Sequence, residues 1–126
     1  ENNFKKDVTI VDSFGKLDLY FKNSEIVILG GSFISKGGHN PIEPAKYGCV
    51  ILSGAYVHNW QNIYDEMTSK GACLIVDNIN NLKDLVEEFM KNKALLDDFK
   101  KKALDFSNKT FFDKKTLFKE INLVLN

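Results

Sequence analysis

The residues best placed to do chemistry lie together in Gly30-Gly31-Ser32-Phe33-Ile34-Ser35-Lys36-Gly37-Gly38-His39-Asn40-Pro41-Ile42-Glu43-Pro44. Two glycine pairs bracket a short polar stretch. Gly30 and Gly31 let the backbone turn sharply, and Gly37 and Gly38 let it approach a ligand closely. Asn40 is a good helix N-cap, Pro41 a good first helical residue, and Glu43 stands three after Asn40 as in a capping box. Amides at such a helix start carry partial positive charge and suit an anion. The chemistry this pattern offers is phosphate binding. Two plainer roles stay open beside it: the glycines serve the turn alone, and Glu43 only caps its own helix. His39 lacks a second metal ligand at suitable spacing. His58, followed by Asn59 and Trp60, is either a loop residue or a second ligand contact.

The elements that must position this stretch follow an alternation of apolar runs and amphipathic segments, the pattern of a parallel α/β sheet. Strands are predicted at residues 8–11, 25–29, 49–52 and 72–76, and helices at 17–21, 41–47 and 59–70. Gly71 stands where a C-terminal cap is expected. The glycine-rich stretch thus leaves the carboxyl end of a buried strand, where open α/β sheets bind ligands. Beyond it the pattern becomes helical. Leu82, Leu85, Val86, Phe89 and Met90 share one helical stripe. Leu95, Leu96, Phe99, Ala103, Leu104 and Phe106 continue it, and Leu117 to Leu125 reads as a last helix. Residues 78–126 form this helical tail, and neither Pro nor Gly follows Gly71. Four strands make a thin sheet with exposed edges, which points to a fragment of a larger chain. So does a start at Glu1 rather than Met.

Composition narrows the function classes. Of 126 residues 44% are hydrophobic, enough for one folded domain. Seventeen basic and 17 acidic residues leave no net charge, so no general attraction to nucleic acid is expected. All the basic residues are lysines, so no guanidinium fork is available for bidentate phosphate binding. Lys100-Lys101-Lys102 reads as a solvated helix face. Cys49 and Cys73 sit in apolar runs and read as buried free thiols in a reducing compartment, not as a disulfide or metal site. No apolar run is long enough to span a membrane.

The run from Gly30 to Pro44 resembles the hallmark of the 3-deoxy-D-manno-octulosonic acid (Kdo) transferases. Ser53-Gly54-Ala55-Tyr56-Val57-His58-Asn59-Trp60 resembles the Gly-Pro-His and Asn-Phe elements that follow in that family. Asp12-Ser13-Phe14-Gly15-Lys16-Leu17 resembles its upstream Asp-Thr-x-Gly-Glu-Leu. The likeness covers about residues 8–77. It departs at Lys16, where the family has Glu, and at Tyr56 and Val57.

The resemblance implies a GT-B glycosyltransferase, two Rossmann-like domains with the active site between them. This chain would be the latter part of the C-terminal, donor-binding domain. Gly31, Ser32, Gly37, Gly38, His39 and Asn40 would surround the phosphate of CMP-Kdo, and Glu43 would take the ribose hydroxyls. Asp12, Gly15, His58 and Asn59 are further candidates. The acceptor would be the lipid A precursor, held by an N-terminal domain that also carries the general base. No metal or other cofactor is expected. The whole protein would act peripherally at the cytoplasmic face of the bacterial inner membrane, and the fragment alone would be inactive. The alternatives are another GT-B transferase with a different nucleotide sugar, and a non-catalytic nucleotide- or anion-binding module.

Overall fold

The computed structural model describes residues 7–125. Three strands, β1 (Ile26–Leu29), β2 (Val50–Ser53) and β3 (Leu74–Ile75), form one parallel sheet in the order β1-β2-β3. Ile26 pairs with Val50 and Leu29 with Ser53, while Leu52 pairs with Leu74. The intervening helices are α1 (Leu17–Lys22), α2 (Ile42–Ala45) and α3 (Gln61–Ser69), the last entered through a 3-10 turn, His58–Trp60. α4 (Ile79–Lys91) and α5 (Lys93–Leu125) follow the sheet.

β2 is the central strand, and its apolar run is buried throughout. Alternate side chains of a strand point to opposite faces. Ile51 therefore packs with Leu29, Tyr64, Met67, Ala103 and Phe106, while Val50 and Leu52 pack with Val76, Leu82, Phe89 and Leu96 on the other face. α5 contributes to both clusters. It begins beside α4 with Leu96, passes Glu25 through a 3.4 Å Lys100–Glu25 ion pair, and reaches the α3 side with Ala103 and Phe106. The helix thus wraps the amino end of the sheet. Phe89 is 1% exposed and lies edge-on to Phe99, with ring centroids 5.2 Å apart.

Local signals explain the ends of the helices. Gly71 has φ +68 and its N–H donates to the Thr68 carbonyl at 3.1 Å, closing α3 as predicted. Asn78 caps α4 by accepting from the N–H groups of Asn80 and Asn81. Asn92 then starts α5 by accepting from Leu95 N–H at 3.0 Å.

Three expectations need correction. Residues 8–11 are not a strand: Val8 and Ile10 are 77% and 90% exposed and pair with nothing in the sheet. Four β-favouring residues make a strand only where a neighbouring strand accepts them. Among the described residues the sheet therefore has three strands, not four. The third is two residues long, although Val76 N–H still reaches the Ser53 carbonyl at 2.8 Å. Finally, the tail beyond residue 93 is one helix of 33 residues, not two, because nothing between Phe106 and Leu117 breaks it. From Phe111 onward every described residue of that helix is exposed, apolar ones included. No described helix is long and apolar enough to cross a membrane.

Candidate functional site

The glycine-rich stretch leaves β1 at Leu29 and is knitted to the loop that leaves β2. Ser32 holds the crossing point. Its hydroxyl donates to the Leu29 carbonyl at 2.6 Å and accepts from Gly54 N–H at 2.8 Å, with the residue fully buried. The Ser32 carbonyl accepts from Tyr56 N–H at 2.8 Å. Further along, Gly38 N–H donates back to the Gly31 carbonyl at 3.0 Å, closing the loop on itself. Asn59 clamps the far side. Its N–H donates to the Gly37 carbonyl and its side-chain amide to the Lys36 carbonyl, both at 3.2 Å.

Glycine is required here for space as well as for dihedrals. Gly37 has φ +95, and a Cβ there would collide with the Asn59 side chain. Gly31 has φ +67, and a Cβ there would stand 3.3 Å from His39 Nε2. The two glycine pairs thus place the His39 imidazole against the Gly31 backbone. His39 is exposed, but its main chain is fixed: the buried Tyr64 hydroxyl donates to the His39 carbonyl at 2.9 Å. Burial pushes the Tyr64 phenol up to about 12, so it stays a donor throughout the neutral range.

The start of α2 differs from the expectation in a way that matters chemically. Asn40 does cap, accepting from Ile42 N–H at 3.0 Å. That bond consumes one amide, and Pro41 and Pro44 have none to give. α2 is also only four residues long. Of its first turn only the Glu43 N–H is left over. The helix start is therefore not the row of free amides the spacing suggested. Glu43 is exposed and makes no hydrogen bond among the described residues. The reciprocal half of the capping box does not form, and the carboxylate is free to meet a ligand.

The remaining candidates divide. Gly31, Gly37, Gly38, His39, Asn40 and Asn59 come together in one patch at the carboxyl end of β1 and β2. Ser32 is beneath it, with its hydroxyl committed to the frame. His58 is exposed on the 3-10 turn beside Asn59. Asp12 and Gly15 are exposed, and no hydrogen bond or ion pair ties either to the patch among the described residues. Tyr64 was missed by sequence reasoning. An aromatic in an amphipathic helix looks like any core residue, and only the fold shows its hydroxyl reaching the loop. No three His, Cys, Asp or Glu side chains among the described residues gather as metal ligands. Cys49 and Cys73 are buried free thiols, and burial pushes the Cys73 thiol up to about 12.

Known proteins resemble this chain in sequence and in fold. No family profile matches the chain. The 3-deoxy-D-manno-octulosonic acid transferase of Aquifex aeolicus is 33% identical over 91 residues, covering 72% of this chain and 26% of that protein. A bifunctional glycosyltransferase/methyltransferase of Fusobacterium nucleatum is 30% identical across 100% of this chain and 20% of its own length. The chain thus spans about a quarter or less of these relatives. Among solved structures, the C-terminal CMP-Kdo binding domain of WaaA from Acinetobacter baumannii superposes with a TM-score of 0.70 at 28% identity, over 74% of this chain and 49% of that one. By sequence and by fold, the chain belongs to the Kdo transferases, in the part that corresponds to their C-terminal domain.

Proposed function

We propose that this chain is the donor-binding part of a glycosyltransferase that moves Kdo from CMP-Kdo to a lipid A precursor in lipopolysaccharide biosynthesis. The observation that carries the reading is the interlocked patch formed by Gly31, Gly37, Gly38, His39 and Asn59, on a fold shared with a CMP-Kdo binding domain. In the reaction an acceptor hydroxyl oxygen attacks the anomeric carbon of Kdo. The bond to the CMP phosphate breaks, its electron pair leaves with CMP, and the hydroxyl proton passes to a base outside this chain. What these residues do is bind and orient. The glycine backbone lets the phosphate approach closely, and His39 with nearby loop amides stabilises the charge growing on departing CMP. Glu43, unpaired beside the patch, accepts hydrogen bonds from the ribose hydroxyls. This arrangement calls for no metal ion. The lipid acceptor and the catalytic base belong to an N-terminal domain, and the whole protein works peripherally at the cytoplasmic face of the inner membrane.

Calorimetric titration of CMP, UMP and UDP tests this. CMP is expected to bind best, with His39→Ala and Glu43→Ala each weakening it roughly 10- to 100-fold, the worth of one hydrogen bond to a charged group. Equal CMP affinity in all three proteins would remove the site. One observation favours a second reading: the Fusobacterium nucleatum relative aligned along the whole chain is a glycosyltransferase joined to a methyltransferase activity. A preference for UMP or UDP over CMP would favour a transferase with a different donor.

A further inference from the structure

Departure of CMP turns a phosphate diester with one negative charge into a monoester carrying roughly −1.5 to −2 near neutrality. The site must therefore stabilise charge that grows on the phosphate. The start of α2 offers little for this, since only the Glu43 N–H is left over. No guanidinium can serve from within this chain, because every basic residue besides its two histidines is a lysine. Between Leu29 and Ile42 there is one lysine, Lys36, and no Asp or Glu.

Backbone bonds hold Lys36 within the patch. Its N–H donates to the Ile34 carbonyl at 2.7 Å, and its carbonyl accepts from the Asn59 side-chain amide at 3.2 Å. Lys36 Cβ and His39 Nε2 flank one point beside Gly31: a Cβ on that glycine would stand 4.0 Å from the first and 3.3 Å from the second. The base of the lysine side chain and the tip of the imidazole thus converge on the same glycine. Three further methylenes let the ammonium reach across the space in front of His39. Lys36 is exposed, and its ammonium makes no hydrogen bond or ion pair among the described residues. Of the acids flanking the stretch, Glu25 pairs with Lys100 at 3.4 Å, and Glu43 pairs with nothing among the described residues.

We infer that Lys36 is a further phosphate-binding residue, whose ammonium donates to a non-bridging phosphate oxygen of the nucleotide and offsets the charge that grows as CMP departs. Lysine suits this task, being a compact charge on a flexible stem that can follow the phosphate as the bond breaks. The inference rests on the reading of the patch as the nucleotide site and adds a cation to it.

Calorimetric titration with CMP, and with cytidine as the ligand without a phosphate, compares the protein with Lys36→Gln, Lys36→Arg and Lys83→Gln. The last removes a lysine from α4. Lys36→Gln should weaken CMP about five- to tenfold, a modest loss because the group is exposed, and should leave cytidine unchanged. Lys36→Arg should keep at least half the CMP affinity, and Lys83→Gln all of it. The gap between Lys36→Gln and the parent should close as NaCl rises from about 0.05 M to about 1 M, where the screening length falls to about 3 Å. Urea midpoints should not change, since the Lys36 side chain bonds to nothing in the fold. Equal CMP affinity in Lys36→Gln and the parent would overturn the inference. So would an equal loss of cytidine, no rescue by arginine, the same loss in Lys83→Gln, or a gap that persists at high salt. If His39→Ala weakens CMP and Lys36→Gln does not, the nucleotide reading stands and this inference alone falls. Absence of CMP binding by the parent would remove both.

Discussion

Ser32→Ala separates a framework role from a ligand-binding role at the centre of the patch. The Ser32 hydroxyl makes bonds of 2.6 Å to the Leu29 carbonyl and 2.8 Å from Gly54 N–H, and the residue is 0% exposed. Alanine removes both bonds and leaves a buried donor and a buried acceptor without partners. Each net hydrogen bond is worth about 0.5–1.5 kcal/mol and each stranded buried group costs about 1–3 kcal/mol. Some of the carbonyl's loss is recoverable by water, so the expected destabilisation is about 2–4 kcal/mol. A chain of this size loses roughly 3–6 °C of melting temperature per kcal/mol. Urea unfolding followed by circular dichroism measures the first quantity, and a thermal scan checks the second. At temperatures where the variant stays folded, its CMP affinity should fall only as far as the loop is displaced. A variant as stable as the parent within about 0.5 kcal/mol, yet unable to bind CMP, would refute the framework assignment. It would place the hydroxyl on the ligand instead.

Gly37→Ala should destabilise the chain by more than about 1 kcal/mol, since φ +95 disfavours any side chain and Asn59 must move; urea unfolding checks this. Phe89→Ala should cost about 3–5 kcal/mol in the same assay, because Phe89 is 1% exposed in the cluster under α4. Cys73 and Tyr64 both have pKa values raised by burial to about 12, from 9.0 and 10.0. Their folded forms hold the proton more tightly than the unfolded chain. Their contribution to stability is therefore complete below pH 9 and is lost as pH rises from there through about 12. Urea midpoints measured across that range should fall, and a flat profile would contradict the burial of these groups. Cys73 should also resist thiol reagents at neutral pH until the chain unfolds.

Much of this protein is legible in its residue order because the relevant signals are local. Glycine at positive φ, asparagine before Pro41, and an apolar run between turns act over a few residues. They placed the turn after β1, the Asn40 cap, the Gly71 stop and the central strand. The capping arithmetic was incomplete for a reason equally visible in the chain: two prolines remove the amides that the helix start was to offer, and the cap itself takes another. Other features had no local signal. The run 8–11 has strand-like residues, yet pairing is a property of the neighbour, and β1 does not take it up. Ser32 and Tyr64 look like a ligand contact and a core aromatic. Only the meeting of two loops, distant in sequence, reveals them as the pegs that hold Gly31, His39 and Asn59 together. Backbone conformation is set between adjacent residues and can be read from them, whereas a binding surface is made by contacts that exist only after the chain has folded.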